Sequence, residues 1–438
     1  MQPEYRRVLQ QVFEFSDFRE GQEEVVKTIL SGRDILVLFP TGNGKSLCYQ
    51  LAGLCLPNLT LVVTPLLALM QDQVESLRRK GVAAASWSSV TPWGEKRAMM
   101  QDLLSGKLRF LYLSPEKLLS PTVSTLLRTL LISQIVVDEA HCVSQWSPEF
   151  RPLYGKITRF TAEYSRQHPR PVVAAFTATA TPKAVGEITQ LLGLQQPHLI
   201  ALPFSRPNLR TQLYHVPSEA TKRRIMLLLL RWWQKTLGGS ALVYAATRGE
   251  TEWLAEWLTL SGFPAEAFHA GLGTTEKQYL LQKYLQEEKA LLVCTSAFGM
   301  GVDKPNIRLV LHHTPPTSLE SYTQEAGRAG RDGKEAWPVL LYSHQDLERN
   351  FLFTVQDVSA LSRKRFLYQQ ALAVSLLAET SNCLNRELYR YFRLPETRPF
   401  QRPYCGCSNC RKELPWLPPK KHSARRGAPG QVVTARVE

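Results

Sequence analysis

Unbroken apolar runs of strand length recur through the first half of the chain, at residues 35–39, 61–63, 110–113, 135–137 and 172–176. Between them, residues 6–15, a stretch ending at Ile29, and residues 47–51, 66–80, 115–119 and 182–192 carry a helical period. Apolar strands that do not alternate with polar residues, separated by helices, predict a parallel sheet covered on both faces. The pattern breaks at Ser205-Arg206-Pro207-Asn208, which reads as a linker because proline restricts its neighbour and no period crosses it. It then restarts, with strands expected at 242–244, 265–268, 290–293, 309–311 and 339–342 and helices at 251–260, 274–286 and 319–329. From Asp346 to Phe392 only helical patterns remain, and residues 415–438 are rich in Pro, Gly, Arg and Lys without periodicity. The expected organisation is an α/β domain at 1–206, a second at 207–345, a helical unit at 346–412 and a disordered basic tail at 413–438.

Composition narrows the class of partner. The 438 residues include 53 Lys+Arg against 38 Asp+Glu, a net charge of +15. That balance suits a polyanion, with nucleic acid ahead of an anionic membrane. No apolar run reaches about 18 residues and no cleavable leader is visible, so the expectation is an intracellular protein with no membrane segment. Cys48, Cys55, Cys142 and Cys294 are scattered and read as reduced thiols, whereas Cys383, Cys405, Cys407 and Cys410 cluster.

The candidate chemistry begins directly after the first apolar run. Pro40-Thr41-Gly42-Asn43-Gly44-Lys45-Ser46 follows a strand and opens a helix, the context of a loop whose backbone N–H groups close around phosphate. Lys45 supplies a charge for the outer phosphates, and the Ser46 hydroxyl can ligate magnesium. The general pattern wants glycine where this chain has Phe39. Residues 135–137 run into Asp138-Glu139-Ala140-His141 at the carboxyl end of a strand, where open parallel sheets bind ligands. Asp138 can hold magnesium and Glu139 can orient or deprotonate an attacking water. Farther on, Gln324-Glu325-Ala326-Gly327-Arg328-Ala329-Gly330-Arg331 sets two arginines three apart, suited to charge developing on a transferred phosphoryl group. The four clustered cysteines suit structural zinc in tetrahedral geometry.

These motifs, with Thr64-Pro65-Leu66, Gln71-Asp72-Gln73, Asp138-Glu139-Ala140-His141-Cys142-Val143-Ser144-Gln145-Trp146, Thr177-Ala178-Thr179-Ala180, Phe268-His269-Ala270-Gly271 and the segment Phe298 to Pro305, stand in the order of RecQ-type DNA helicases of superfamily 2. The resemblance covers roughly residues 5 to 412. It implies two tandem RecA-like parallel-sheet domains followed by a small helical zinc-binding subdomain, with ATP, Mg2+ and Zn2+ as cofactors. It further implies that Phe15, Arg19 and Gln22 hold adenine, although Phe15 equally suits a core, and that Asp303 joins the nucleotide site. Gln324, Arg328 and Arg331 become catalytic with Lys45, Asp138 and Glu139, and His141 and Thr179 fall where nucleotide state is relayed. Thr64, Trp146, Phe150, Arg151 and His269 become DNA contacts, the three from Trp146 to Arg151 lying in a Pro-containing segment read as irregular and exposed.

The first cysteine gap, Cys405-Gly406-Cys407, is one residue shorter than the family usually shows. The implied activity is ATP-driven 3′-to-5′ translocation and unwinding of forked or duplex DNA in repair and recombination, by a monomer that meets single-strand-binding or repair proteins. An ATP-switched nucleic-acid remodelling protein with little strand separation is the alternative. The chain ends 28 residues after Cys410, before the winged helix of many relatives, so weak, salt-sensitive unwinding of short duplexes is expected.

Overall fold

The computed structural model of the chain describes residues 3–40, 42–65, 67–88, 91, 93–142, 151–202, 206–296, 298, 304–356, 358–394 and 405–411. The chain divides into two compact units, one built from residues up to Ser205 and joined again by the segment starting at Leu388. The other begins at Arg206 and runs to Glu387, with the cysteine segment 405–411 returning to it.

In the first unit the strands are β1 (Ile35–Leu38), β2 (Leu59–Val63), β3 (Ala84–Trp87), β4 (Phe110–Leu113), β5 (Ile132–Val137), β6 (Val172–Thr177) and β7 (His198–Ala201). They pair in the order β3-β4-β2-β5-β6-β1-β7, and every pairing is parallel. β1, β2, β4 and β6 are buried at every position. Such strands show the nearly continuous apolar run that a two-sided sheet demands, with Thr60 and Thr177 as its polar members. β3 and β7 escape the sequence pattern because they are edge strands with polar residues, Ser86 and His198, among few apolar ones.

Helices α1 (Glu4–Gln11), α2 (Gln22–Leu30), α3 (Lys45–Cys55) and α4 (Leu67–Arg79) cover part of this sheet. α1 stops short of the expected Phe15, and Glu14, three residues past its end, sits at a φ of 60°, outside helical space. A helix also runs over Arg151–Tyr164, where the sequence suggested irregular chain. Proline is tolerated in a first helical turn, so Pro152 does not prevent it. Tyr154, Ile157, Phe160 and Tyr164 then repeat at helical spacing and are buried in the core.

The second unit has its own parallel sheet, in the order β10-β11-β9-β12-β13-β8, from β8 (Gln212–His215), β9 (Ser240–Tyr244), β10 (Glu266–Phe268), β11 (Leu291–Cys294), β12 (Ile307–His312) and β13 (Trp337–Tyr342). Its helices start on chemically similar caps. Ser218, Thr247, Ser318 and Ser343 each accept from the N–H three residues on, opening helices at Glu219–Trp232, Arg248–Leu260, Leu319–Ala326 and His344–Val355. Each such cap is worth about 1 kcal/mol. The helix Leu361–Glu379 joins this unit: Tyr342 Oη bonds Ser375 Oγ at 2.9 Å, and His215 Nε2 lies 2.9 Å from the Ala378 carbonyl. The cysteine segment closes the β8 edge, with Ser408 N donating to Thr211 O at 3.1 Å and Gln212 Nε2 to Gly406 O at 3.0 Å. That edge would otherwise offer unpaired backbone groups to another chain.

One buried charge ties the ends of β1, β6 and β7 together. Asp34 accepts from Arg170 at 2.8 and 2.6 Å and from the backbone N–H groups of Val173 and Gln195 at 2.9 and 2.7 Å. Removing one partner of a buried pair strands the other charge, so Asp34→Ala should destabilise the first unit by about 3–5 kcal/mol. Chemical denaturation measures it; an unchanged midpoint would contradict this account of the sheet's entry side.

Candidate functional site

β6 lies between β1 and β5, so the carboxyl ends of the latter two are about 10 Å apart at the usual strand spacing. The loop after β1 and the acidic residues after β5 therefore face one crevice. The residues entering it are fixed by backbone bonds, Phe39 N donating to Thr177 O at 3.1 Å, Asp138 N to Val63 O at 2.9 Å and Ala140 N to Phe176 O at 2.8 Å.

Gly42 and Gly44 take φ values of 91° and 71°, and Gly44 is the N-cap of α3. A Cβ on Gly44 would meet Gln22 Nε2 at 2.4 Å, so glycine is required by conformation and by space. Gln22 is buried and uses both ends of its amide on the protein: Nε2 donates to Asn43 O and Oε1 accepts from Arg19 N, each at 2.9 Å. Arg19 Nη1 donates to Gly42 O at 2.7 Å. Two of the three residues expected to hold adenine, Arg19 and Gln22, thus also brace the loop from behind. Phe15 is exposed, which removes the core reading and leaves its ring free to meet a base. Among the described residues Lys45 Nζ has one protein acceptor, Phe39 O at 3.2 Å.

Asp138 is buried at 4% exposure. Burial and the adjacent Glu139 push its carboxyl up to about 6, while the Lys45 ammonium pulls the other way. A carboxylate so desolvated fits a divalent cation, and the Ser46 hydroxyl at the start of α3 is a second oxygen for it. Glu139 adopts a φ of 51°, unusual for a residue with a side chain. His141 Nδ1 is 3.3 Å from Glu139 Oε2 and 3.1 Å from Thr177 Oγ1, and Thr177 Oγ1 donates to Thr179 O at 3.1 Å. This joins the acidic segment to the Thr177–Ala180 segment at the end of β6. Thr64, at the end of β2, is buried, and its hydroxyl has no hydrogen-bond partner among the described residues. Thr41, Trp146 and Phe150, with the side chain of Arg151, lie outside the described residues, as does Asp303.

In the second unit Gln324 sits near the end of the helix Leu319–Ala326, and Arg328 and Arg331 follow it. Arg328 is 5% exposed, and its Nε and Nη1 have no hydrogen-bond acceptor among the described residues. Two residues of the expected linker, Arg206 and Asn208, clamp this segment. Arg206 donates to the carbonyls of Gly327, Ala329 and Gly330 at 2.9, 2.9 and 2.6 Å, and Asn208 Nδ2 to Gly330 O and Lys334 O, each at 2.9 Å. Burial and the nearby Arg331 lower the Arg206 guanidinium to about 10. Arg308 pairs with Asp332 on the other side. None of these three has a sequence signature, since their partners are backbone carbonyls or lie far along the chain. His269 is buried, with Nε2 2.9 Å from Glu252 Oε1 but out of hydrogen-bond alignment. Arg248, missed in the sequence, lies beside it, close enough to Gly271 that a Cβ there would meet Arg248 Cδ at 3.1 Å and His269 Nδ1 at 3.2 Å.

The Sγ atoms of Cys383, Cys405, Cys407 and Cys410 all lie within 4.8 Å of one another. Cys383 Sγ is 3.2 Å from Cys405 Sγ and 3.9 Å from Cys407 Sγ. Four sulfurs about 2.3 Å from a tetrahedral zinc would be about 3.8 Å apart, so the short Cys-x-Cys gap does not prevent a closed set. A hydrogen bond from Cys405 pulls the Cys407 thiol down to about 5, toward the thiolate that a metal needs.

Known proteins share this organisation. An ATP-dependent DNA helicase RecQ of Pasteurella multocida is 37% identical over 416 residues, covering 95% of this chain and 62% of the relative. One from Synechocystis is 40% identical over 371 residues, covering 83% of this chain and 77% of the relative. The chain belongs to the RecQ family of ATP-dependent DNA helicases. Within this RecQ-family chain the DEAD/DEAH box helicase model matches residues 19–188 and the helicase conserved C-terminal domain residues 221–333. The solved DUF1998 helicase MrfA bound to DNA shares the fold at a TM-score of 0.68 and 17% identity, over 88% of this chain and 58% of that one. Both sheets are accordingly RecA-like. Among the described residues no helix is long and apolar enough to cross a membrane.

Gly44→Ala should force a left-handed alanine, at a cost of about 1–2 kcal/mol, and displace Gln22. A fluorescent ATP analogue should then bind about tenfold more weakly, whereas Gly186→Ala, with nothing within 4 Å of the added carbon, should bind as wild type. Equal affinities would contradict the tight cradle.

Proposed function

We propose that this chain is an ATP-dependent DNA helicase that hydrolyses ATP in its first unit and uses it to move 3′ to 5′ on single-stranded DNA, opening forks and duplexes in repair and recombination. The observation that carries the reading is the buried Asp138 carboxylate, facing Lys45 and next to Glu139 at the strand end that shares a crevice with the phosphate loop. Names of relatives support DNA as the substrate, as does a net charge of +15.

In this reading Lys45 exchanges its contact with the Phe39 carbonyl for the outer phosphate oxygens, a charge-assisted and stronger partner. Asp138 and Ser46 hold magnesium, which when bound offsets phosphate charge. Glu139 orients the attacking water and accepts its proton as oxygen bonds to the γ-phosphorus and the bond to the ADP oxygen breaks. Gln324, Arg328 and Arg331 meet the charge that develops on the transferred group. Thr41 to Ser46 cradle the phosphates, Phe15, Arg19 and Gln22 meet adenine, and Asp303 joins them. Thr64, Trp146, Phe150, Arg151 and His269 contact DNA, the aromatic residues by base stacking that is indifferent to sequence. Zinc held by Cys383, Cys405, Cys407 and Cys410 fastens the cysteine segment over β8.

Glu139→Gln keeps the shape of the side chain while removing a base. It should bind ATP as wild type does and lose about a hundredfold in single-strand-stimulated turnover, whereas Lys45→Ala should lose affinity and turnover together. The measurement is ATPase rate with and without single-stranded DNA, beside a fork-unwinding assay. Wild-type turnover in Glu139→Gln would overturn the catalytic assignment, and stimulated turnover with no fork opening would replace the helicase by an ATP-switched remodelling protein. Elemental analysis should find one zinc per chain, lost in Cys383→Ser together with a lower melting temperature. Metal-free purified protein with Cys383 open to alkylation would remove the zinc.

A further inference from the structure

The first cysteine gap is one residue short, and the edge of the second sheet shows how the set closes all the same. On extended chain, side chains two residues apart face the same way and the one between them faces the other. A Cβ on Gly406 would run into Arg210, meeting its Nη1 at 2.7 Å and its Cδ closer still. The middle position of Cys405-Gly406-Cys407 is therefore turned toward the chain that leads into β8, and the two sulfurs are turned away from it, toward those of Cys383 and Cys410. Arg210 keeps its place by donating from Nη2 to Glu335 at 3.0 Å.

In the sheet β8 has a strand neighbour, β13, on one side only. On the other side Ser408 takes the position of a partner strand: its N–H donates to Thr211 O at 3.1 Å, and its Oγ accepts from Leu213 N at 3.1 Å. Backbone groups of alternate residues are what an edge strand presents to a neighbour. Gln212 adds a bond from within the fold. It is 2% exposed, its Oε1 accepts from Tyr214 Oη at 2.7 Å, which fixes the orientation of the amide, and its Nε2 donates to Gly406 O at 3.0 Å. Asn409 Nδ2 donates to the carbonyls of Thr380 and Asn382 at 2.8 and 2.7 Å, in the turn that leads into Cys383. Cys405, Cys407 and Cys410 are thus carried on a segment whose bonds to β8 involve no cysteine sulfur.

We propose that Gln212 and Ser408 are positioning residues of the zinc centre: they hold Cys405 and Cys407 at the short spacing from the β8 side, so that the sheet, and not the four thiolates alone, sets how firmly the ion is kept. The inference rests on the zinc reading given above and adds to it the residues outside the four ligands that govern retention. Neither residue is itself a ligand. Groups that orient metal ligands in this way carry about ten- to a hundredfold in metal affinity. The coupling is reciprocal, so an ion held at the cysteines also stabilises the β8 edge.

The test is the rate at which the zinc-loaded full chain gives up its metal to an excess of the chelator pyridylazoresorcinol, followed by absorbance. Ser408→Ala and Gln212→Leu should each release zinc about tenfold faster than wild type, and Ser408→Thr, which keeps the hydroxyl, at the wild-type rate. Ser408 is only partly buried, so Ser408→Ala should fold even if the core variant Gln212→Leu does not. A second readout is hydrogen exchange at the Leu213 amide. Removing zinc should speed that exchange in wild type, and by a smaller factor in Ser408→Ala, where the acceptor of the amide is already gone. A wild-type chain that holds no zinc would overturn the zinc reading, and this inference with it. Zinc-loaded Ser408→Ala and Gln212→Leu that release their metal at the wild-type rate would overturn the inference alone, and Ser408→Thr releasing as fast as Ser408→Ala would remove the hydroxyl from it.

Discussion

A carboxylate that must be both buried and charged sets the terms for the first unit. Asp138 sits at the end of a strand with neighbours on both sides, where water cannot solvate it, and Glu139 beside it makes ionisation harder still. Only groups that bring positive charge or donate hydrogen bonds can hold it there. Lys45 supplies the charge from the end of β1, the Glu139 N–H supplies a donor at 2.9 Å, and Tyr49 supplies another from within the core. The strand order brings these together, since with β6 alone between β1 and β5 both strand ends open on one crevice.

The second unit solves a different problem with similar parts. It has a parallel sheet without a phosphate loop, and its candidate chemistry lies in the arginines that follow the helix Leu319–Ala326. Arg328 is nearly buried, so its position is set by the protein and not by solvent. Gly330, at a φ of 57°, lets the backbone turn so that its carbonyl faces Arg206 and Asn208. An added carbon there would meet Asn208 Nδ2 at 2.6 Å and Lys334 O at 2.7 Å. The glycine and the clamp are therefore two halves of one device for presenting arginines.

Legibility in the sequence followed the physics of each element. Central strands such as β1 and β6 were visible because two-sided burial leaves an apolar run in them, interrupted only by Thr177 at the end of β6, and the phosphate loop and acidic segment because their chemistry needs fixed residues at short spacing. The edge strands β3, β7 and β8 were not, since an edge tolerates polar residues and its pattern fades into loop. Helix Arg151–Tyr164 was hidden by Pro152, which is acceptable only in a first turn. Arg206 was hidden because a side chain that donates to backbone carbonyls more than a hundred residues away leaves no local signal.

The central claim is that this two-sheet chain carries a single nucleotide site, made by the loop after β1 and closed by Asp138. The direct measurement is the stoichiometry of a non-hydrolysable ATP analogue with magnesium on the purified full chain, by isothermal titration calorimetry, beside Lys45→Ala. The account predicts one nucleotide per wild-type chain and none within the same concentration range for the variant. Two nucleotides per chain, or one that persists when Lys45 is removed, would contradict it.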